Sequence, residues 1–210
     1  MERHAGTKAT GIADGVLECS DGSRVPYDRL LLATGGRARR LPYAAGHDHV
    51  HTLRGLGDVP ALRADLESGG PLLVIGAGPL GLEVAASARS KGIGVTVLES
   101  GAEPLRRSLP APLRRAVLRL HRSHGTRVHT GVTLTGLAPR GGALVATARD
   151  GRSRQAHTVL VACGIRSDAE LAARAGLAVG DGIVVDATGA SRDRSRTCVT
   201  PPARARLFDR

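Results

Sequence analysis

The sequence is poor in aromatic side chains: its 210 residues include two tyrosines, one phenylalanine and no tryptophan. Aliphatic side chains therefore have to fill any core, and the scarcity argues against nucleic-acid modules that stack bases on aromatic rings. The net charge is nevertheless +11. Because no compact basic helix carries interleaved aromatics, we interpret the arginines as spread over the surface and expect no nucleic-acid partner. An acidic protein partner is compatible with this charge.

Cysteine is also scarce, and Cys19, Cys163 and Cys198 lie far apart in the chain. None belongs to a C-x-x-C motif, so the sequence encodes neither a zinc ribbon nor a local redox dithiol. No apolar run is long enough to span a bilayer, and the first residues lead into no signal-peptide region. We therefore expect a cytoplasmic chain without a membrane partner, and we interpret Cys163, which follows a buried-type strand, as an inert core thiol.

The histidines show no H-E-x-x-H motif, and we expect no metal site. His47, His49 and His51 alternate as on a strand, in a segment that contains glycine. We interpret these three as surface residues rather than as metal ligands, because loop histidines are more often solvated than coordinated.

The most informative segment joins a short apolar run to a glycine-rich turn. The run is Leu72–Ile75, and Gly76-Ala77-Gly78-Pro79-Leu80-Gly81 follows it as G-x-G-x-x-G before a helical pattern. An acidic residue, Glu99, lies 18 positions after the third glycine, at the end of a second apolar run. Strand, glycines, helix and delayed acid together are typical of a dinucleotide-binding unit, whereas the glycines alone are weak evidence.

Each glycine has a separate physical role in this interpretation. Gly76 allows the tight turn out of the strand, and Gly78 lets a pyrophosphate approach the backbone. Gly81 allows close packing of helix on strand, and the helix start at Pro79 and Leu80 offers free N–H groups and a positive dipole end to the phosphates. The alternative is a glycine-rich turn in some other α/β protein.

Glu99 predicts which nucleotide is preferred. Its carboxylate is expected to accept hydrogen bonds from the adenosine ribose hydroxyls and to repel a 2′-phosphate, so NAD(H) is favoured over NADP(H). Arg106 and Arg107 follow and would weaken that preference. In the alternative interpretation, Glu99 is only a solvated strand end.

Periodicity and turn residues predict the remaining elements. Strands are expected in a hairpin and in eight further runs, at 16–19 with 24–26, 30–33, 72–75, 94–98, 127–129, 132–134, 143–146, 158–162 and 182–186. Helices are expected at 58–67, 80–91, 112–124 and 169–175, with Gly176 ending the last one. Residues 190–210 hold many arginines and little apolar periodicity, so we interpret them as disordered.

Several motifs in fixed order carry a resemblance that covers roughly residues 10–190. They are Tyr27-Asp28, Leu30-Leu31-Leu32-Ala33-Thr34-Gly35, Pro42, His51-Thr52-Leu53-Arg54, the glycine turn with Gly81-Leu82-Glu83, Val97-Leu98-Glu99, Val159-Leu160-Val161-Ala162-Cys163-Gly164 and Gly182-Ile183-Val184-Val185-Asp186. The chain resembles the FAD/NAD(P)-dependent pyridine nucleotide-disulphide oxidoreductases. Within them it is most similar to the ferredoxin and rubredoxin reductases that serve oxygenase and cytochrome P450 systems.

The resemblance implies an α/β fold: a Rossmann-like domain with a parallel sheet and a small β-meander, flanked by partial segments of an FAD-binding domain. The implied organisation is a partial FAD segment at 1–45, the NAD(P)-binding domain at 46–157, a second partial FAD segment at 158–189 and the tail at 190–210. The family's FAD fingerprint is absent from this sequence, and so is the Gly-Asp pair that the family has after the segment matching Gly182 to Asp186. We therefore expect an incomplete copy, truncated at both ends, in which FAD binding loses its main anchors.

The implied activity is an FAD-dependent NAD(P)H oxidoreductase. In the family, hydride passes from NADH to the flavin, and single electrons then pass to an iron–sulfur acceptor of the ferredoxin or rubredoxin type. The alternatives are an NAD(H)-binding module without autonomous catalysis and a basic interaction protein that uses its arginines.

The resemblance also assigns roles to individual residues. Glu83 lies where the family has a glutamate near the nicotinamide, and Thr34, Gly35 and Arg37 lie in the turn beside the flavin. Gly164 ends the altered second Ala-Thr-Gly turn. For Glu83 the alternative is an acid in the first helical turn that interacts with the helix dipole. For Thr34 and its neighbours the alternative is a plain strand-to-loop turn.

Overall fold

The computed structural model describes residues 3–191. Its strands are β1 (Ala9–Ala13), β2 (Val16–Cys19), β3 (Arg24–Pro26), β4 (Gly36–Ala38), β5 (Val50–Thr52), β6 (Leu72–Ile75), β7 (Val95–Leu98), β8 (Arg127–His129), β9 (Leu134–Arg140), β10 (Ala143–Ala148), β11 (Ser153–Ala156), β12 (Thr158–Val161) and β13 (Ile165–Ser167). Its helices are α1 (Val59–Glu67), α2 (Pro79–Ser90), α3 (Ala111–Ser123) and α4 (Glu170–Arg174). Short 3₁₀ turns lie at Pro42–Ala44 and Leu56–Asp58.

The described chain forms two compact units. The central unit is Ala38–Gly164, and the flanking unit combines residues 3–37 with residues 165–191. The boundaries lie at 37/38 and 164/165, whereas the expected ones are 45/46 and 157/158. The second boundary falls later because strand β12 pairs within the central sheet. The tail expected at 190–210 lies, from residue 192 onward, outside the described residues.

The central unit is built on a five-stranded parallel sheet of order β5-β12-β6-β7-β8. The predicted strands 72–75, 94–98, 127–129 and 158–162 all form within it. Strand β6 is buried at every position, as its uninterrupted apolar run predicts for a parallel sheet covered on both faces. The predicted α/β class with a parallel sheet is confirmed.

Alternate residues of each central strand belong to different layers, because successive side chains point to opposite faces. Leu72, Val74 and Leu160 pack with helix residues of α1 and α2. Leu73 and Val159 pack on the other face, with residues of β9 and β10. The sheet therefore lies between a helical layer and an antiparallel layer.

The helices form close to their predicted bounds. Helix α1 has Pro60 at its start, where the missing N–H costs nothing, and it buries Leu62. Helix α2 buries Gly81, Leu82, Ala85 and Ala88, which recur at helical spacing along one side. Helix α3 carries the predicted basic, amphipathic pattern and has no fully buried residue.

The antiparallel layer is a three-stranded meander of order β11-β10-β9. Strand β10 alternates half-buried and buried residues, which places Leu144 and Ala146 against the parallel sheet. The predicted meander is therefore confirmed, although its first strand begins at Leu134 and runs to Arg140 instead of covering 132–134.

The flanking unit contains the predicted hairpin: β2 pairs antiparallel with β3, and β1 joins the other edge of β2. Its core joins Ile12 and Leu32 to Leu171, Ile183 and other apolar residues of the second segment. Gly176 follows α4 at φ +78°, the left-handed conformation expected of a residue that ends a helix.

Two strands predicted for this unit do not form. Leu30–Ala33 makes a single bridge at Leu32, and 182–186 makes a single bridge between Ile183 and Val179. Both runs have the apolar composition of buried strands. In the described chain neither pairs with a long neighbouring strand, and a strand needs a partner for its N–H and C=O groups. Leu32 and Ile183 instead pack as buried residues of an irregular core.

Candidate functional site

The candidate nucleotide site lies at the carboxyl edge of the parallel sheet. Strand β6 leads through the glycine turn into α2, and β7 pairs on one side of β6 while β12 pairs on the other. All strands stay parallel, but the order in which they are added reverses at β6, because β7 and β8 lie on one side and β12 and β5 on the other. In open α/β sheets, ligands bind outside the carboxyl ends of the strands at such a switch point.

Two of the three glycines are required by close contacts within the protein. Gly76 has φ +111°, and a Cβ at this position would lie 2.4 Å from the carbonyl oxygen of Ala162, at the end of β12. A Cβ at Gly81 would lie 2.2 Å from the carbonyl oxygen of Gly76 and 3.2 Å from Cγ1 of Val74. The turn and the packing of α2 on β6 thus exclude any side chain at positions 76 and 81.

Gly78 differs, because a Cβ there would have no heavy atom within 4 Å. Its backbone is ordinary extended chain at φ −78° and ψ 179°, and it is the N-cap of α2. The missing side chain is therefore not required by the fold, and it leaves open space directly at a helix N-terminus. Pro79 has no N–H, and the first helical bond of α2 runs from Leu82 N–H to the Gly78 carbonyl over 3.1 Å. The N–H groups of Leu80 and Gly81 precede that bond and suit a phosphate.

Glu99 is placed beside this turn, as the spacing predicts, and it is half-buried. Its Oε2 accepts a hydrogen bond from Ala77 N–H at 2.8 Å, and its Oε1 accepts one from Gly101 N–H at 2.7 Å. The interpretation of Glu99 as a merely solvated strand end is therefore wrong. A carboxylate has about four acceptor positions, so these two bonds leave room for ribose hydroxyls.

Ala77 is held on both sides, which sequence reasoning missed. Besides the bond to Glu99, its carbonyl accepts a hydrogen bond from Leu105 N–H at 3.0 Å. Leu105 is buried and has φ +54°, an uncommon conformation for a non-glycine residue. The segment after β7 is therefore hydrogen-bonded to the glycine turn through Leu105. No local sequence pattern predicts this contact. Arg106 and Arg107 follow it and are exposed.

Glu83 is exposed on α2, near the glycine turn. Helix α2 has no acidic residue in its first turn, because Glu83 falls in the second. The alternative interpretation of Glu83 as a first-turn acid is therefore wrong. Its role near a nicotinamide stays a prediction.

Thr34, Gly35 and Arg37 meet one residue of the second segment, Asp168, within the flanking unit. Thr34 Oγ1 donates to the Asp168 carbonyl at 2.6 Å, and Asp168 N–H donates to the Gly35 carbonyl at 3.1 Å. Arg37 Nε lies 3.0 Å from a carboxylate oxygen of Asp168. Gly36 is confined as well, since a Cβ there would lie 2.6 Å from the Arg166 carbonyl oxygen. These contacts tie together the two places where the chain passes between its units.

Gly164 and Cys163 lie at the second of those passages, at the end of the central unit. Gly164 has φ +103°, and its carbonyl accepts a hydrogen bond from Arg39 N–H at 2.9 Å. Cys163 is exposed, so its interpretation as a core thiol is wrong. Its Sγ lies 3.7 Å from the Arg39 carbonyl oxygen.

His51 of β5 is placed differently from the prediction, whereas His49, just before the strand, is exposed as predicted. His51 Nε2 lies 2.5 Å from one carboxylate oxygen of Asp65 on α1, and His49 Nδ1 lies 3.0 Å from the other. His51 is only 14% exposed, so it is not a surface residue. Burial raises the pKa of Asp65, but the hydrogen bonds from His51 and His49 outweigh it and hold that pKa below the ordinary value. Within residues 3–191, no cluster of histidine, cysteine and acidic side chains has the arrangement of a metal site.

No helix in the described part of the chain is both long and apolar enough to cross a bilayer.

Comparison with known proteins agrees with this geometry. The family described as pyridine nucleotide-disulphide oxidoreductase matches residues 2–195. Rhodocoxin reductase of Rhodococcus erythropolis is 42% identical over 173 residues, which are 81% of this chain and 40% of that protein. The biphenyl dioxygenase system ferredoxin–NAD(+) reductase component of Paraburkholderia xenovorans is 40% identical over 185 residues, which are 86% of this chain and 44% of that protein.

Solved structures give the same picture. The ferredoxin reductase for the CYP199A2 system from Rhodopseudomonas palustris has a TM-score of 0.84 and 31% identity, covering 92% of this chain and 49% of that one. The covalent putidaredoxin reductase–putidaredoxin complex gives a TM-score of 0.80 and 35% identity with the same two coverages, 92% and 49%. The chain thus spans less than half the length of these relatives. Because the family match covers nearly all of the sequence, the chain belongs to the pyridine nucleotide-disulphide oxidoreductase family.

Proposed function

We propose that this chain provides the NADH-binding part of an NADH-dependent flavoprotein reductase that passes electrons to a ferredoxin- or rubredoxin-like iron–sulfur protein. The single observation that carries the proposal is the glycine turn at the switch point of the sheet. There, Gly78 leaves open space beside free helix N–H groups, and Glu99 lies next to them.

The residues of the central unit fit a dinucleotide. The N–H groups of Leu80 and Gly81, with the dipole of α2, would hold the pyrophosphate. Glu99 would accept hydrogen bonds from the adenosine ribose and disfavour a 2′-phosphate, which supports NADH over NADPH. Glu83 is exposed on the same helix and would orient the nicotinamide carboxamide. Nicotinamide supplies the hydride chemistry, and these side chains position it.

The residues of the flanking unit do not fit a whole FAD. Thr34 and Arg37 are already bonded to Asp168, and within residues 3–191 the turn at 76–81 is the one strand–glycine–helix cradle for a pyrophosphate. We therefore derive no reaction step through the flavin from this chain. We propose that Thr34, Gly35 and Arg37 contribute at most the edge of an FAD site, and the role of Gly164 stays a prediction.

A second candidate function is favoured by the same observation. With one cradle present, the isolated chain would be an NAD(H)-binding module without autonomous catalysis. The two candidates make the same prediction for NADH binding and different predictions for flavin content and turnover.

The proposed electron acceptor rests on the relatives rather than on a contact in this structure. One of the relatives is named as a ferredoxin–NAD(+) reductase component, and one solved structure is a complex of putidaredoxin reductase with putidaredoxin. The net charge of +11 suits an acidic carrier, because opposite charge steers association.

The test is a titration of the purified chain with NADH and with NADPH, followed by nicotinamide fluorescence, while the visible spectrum reports bound flavin. The protein has no tryptophan, so its own emission interferes little. The Gly78→Val variant shows whether NADH binds at the glycine turn, because its new side chain occupies the space expected for the pyrophosphate.

Three results decide between the candidates. Binding of NADH that Gly78→Val abolishes, without a flavin band, supports the binding module. A yellow protein that NADH bleaches supports the complete reductase. If neither nucleotide binds, the proposed function is wrong.

A further inference from the structure

The central unit contains a cavity that is separate from the glycine turn. It has a volume of about 230 Å³ and lies beside β8, the edge strand of the parallel sheet. Apolar residues of the two sheets form part of its lining: Leu98, Val128, Val132, Leu134, Ala146 and Ala148. The rest of the lining is polar and comes from several different elements.

The polar lining is basic. Arg122 from the last turn of α3, His129 from the end of β8, Arg152 from the turn before β11 and Arg154 from β11 all face this cavity. Thr130 adds a hydroxyl. The lining, as far as residues 3–191 provide it, contains no carboxylate.

The contacts of these arginines leave most of their positive charge unbalanced. Arg122 Nη2 lies 3.4 Å from the Val128 carbonyl oxygen, and Arg154 Nη1 donates to the Ser153 carbonyl at 2.9 Å. Arg152 pairs with Asp150 at 2.6 Å in an exposed ion pair. Carbonyl oxygens are neutral acceptors, so Arg122 and Arg154 both line the cavity without a carboxylate partner among the described residues.

The pKa of His129 is affected by the positive charge of the neighbouring arginines. Burial, followed by the charges of Arg154 and Arg152, lowers the pKa of His129. Converging like charges cost free energy, which a bound anion would relieve. The basic lining, which has no carboxylate among the described residues, therefore favours an anion in this cavity.

We propose that this cavity is a binding site for a phosphate group, either as inorganic phosphate or at the end of a small phosphomonoester. Arg122 lies on α3, whereas Arg152 and Arg154 lie together at the start of β11, so two separate segments of the chain supply the three arginines of the lining. A phosphomonoester offers three terminal oxygens and nearly two negative charges, and guanidinium groups bind such oxygens in a bidentate manner. A planar carboxylate has only two oxygens and one charge, and it matches the guanidinium groups of Arg122 and Arg154 less well.

This site does not depend on the proposed function. The glycine turn lies between β6 and β12, whereas the cavity lies on the far side of β7, at β8. A phosphate bound at the turn needs the open space at Gly78, and a phosphate bound at the cavity needs the arginines. The two can therefore be removed separately.

The experiment is isothermal titration calorimetry of inorganic phosphate into the full chain at constant ionic strength, with acetate as the comparison anion. The informative variants are Arg154→Gln and Arg122→Gln. The matched control is Arg140→Gln on β9, an exposed arginine outside the cavity, because it removes the same charge from the same unit. Gly78→Val removes the other possible phosphate site.

We expect one phosphate per chain and an affinity that falls about tenfold or more in Arg154→Gln and in Arg122→Gln, the loss typical of a charge-assisted hydrogen bond. Arg140→Gln and Gly78→Val should bind phosphate as the parent chain does, and phosphate should raise the pKa of His129 in a proton NMR titration. If a glutamine variant fails to fold, Arg154→Lys keeps the charge, loses the planar fork, and should weaken binding by a smaller factor.

Three results would overturn the proposal. They are no saturable phosphate binding by the parent chain, an equal loss in Arg140→Gln, or complete loss in Gly78→Val. Competition between inorganic phosphate and a phosphomonoester identifies the source of the phosphate. A phosphomonoester that binds more tightly than inorganic phosphate also contacts the apolar residues of the lining. If it binds no more tightly, inorganic phosphate is the ligand.

Discussion

Replacing two glycines of the same turn by alanine should affect stability and binding in opposite ways. Gly81→Ala places a Cβ 2.2 Å from the Gly76 carbonyl oxygen and 3.3 Å from Cβ of Ala162. The nearest atom belongs to the backbone and cannot rotate away. Gly78→Ala places its Cβ in open space, at φ −78° and ψ 179°, which alanine adopts without strain.

The magnitudes follow from these contacts. Overpacking against a fixed neighbour costs about 1–3 kcal/mol or more, and the better helix propensity of alanine returns less than about 1 kcal/mol. We therefore expect Gly81→Ala to lower the free energy of unfolding by about 2 kcal/mol, or the melting temperature by about 4–8 °C in a chain of this size. In Gly78→Ala, the lower conformational entropy of the unfolded chain stabilises the fold by about 0.4–1 kcal/mol, but alanine is a poorer N-cap residue by a similar amount. The free energy of unfolding should therefore change by no more than about 1 kcal/mol.

The assay is chemical denaturation followed by circular dichroism, together with a fluorescence titration of NADH. Gly78→Ala should keep the parent's stability and bind NADH about tenfold or more weakly, because its methyl group fills space expected for the pyrophosphate. The reasoning is refuted if Gly81→Ala is as stable as the parent chain while Gly78→Ala unfolds more easily. Equal NADH affinity in the parent and in folded Gly78→Ala would refute the placement of the pyrophosphate.

Further predictions concern the polar contacts. Glu99→Gln should weaken NADH binding and reduce the preference for NADH over NADPH, which competitive titrations check. It should also lower the free energy of unfolding by about 1.5–3 kcal/mol, because Ala77 N–H loses a charged acceptor, and denaturation curves check this. Asp65→Asn should destabilise the chain by about 1–3 kcal/mol near neutral pH, since the parent carboxylate is hydrogen-bonded to His51. The folded pKa of Asp65 is lowered, so its stabilisation is complete above about pH 4 and is lost as the pH falls through the folded pKa. Denaturation curves at several pH values should therefore show parent and variant converging in acid. Arg37→Gln should change stability by less than about 1 kcal/mol, because its ion pair is largely exposed, and a melting curve checks this.

The parallel sheet was predictable because its signals are local. Uninterrupted apolar runs mark strands buried on both faces, and β6, β7 and β12 form where those runs lie. The same rule failed at Leu30–Ala33 and at 182–186, where the composition is right and a long pairing strand is missing from the described chain. Apolar composition predicts burial, which Leu32 and Ile183 do show, but only a partner makes a strand.

The sequence by itself determined the parallel sheet, the helices and the candidate nucleotide turn, because these depend on residues close together in the chain. The spacing placed Glu99 at the turn, and the chemistry of glycine explained Gly76 and Gly81. Only the tertiary structure decided which groups meet from distant parts of the chain. The hydrogen bond from Leu105 to Ala77, the contact of His51 with Asp65 and the basic cavity beside β8 all arise from packing, and packing joins residues that share no local pattern.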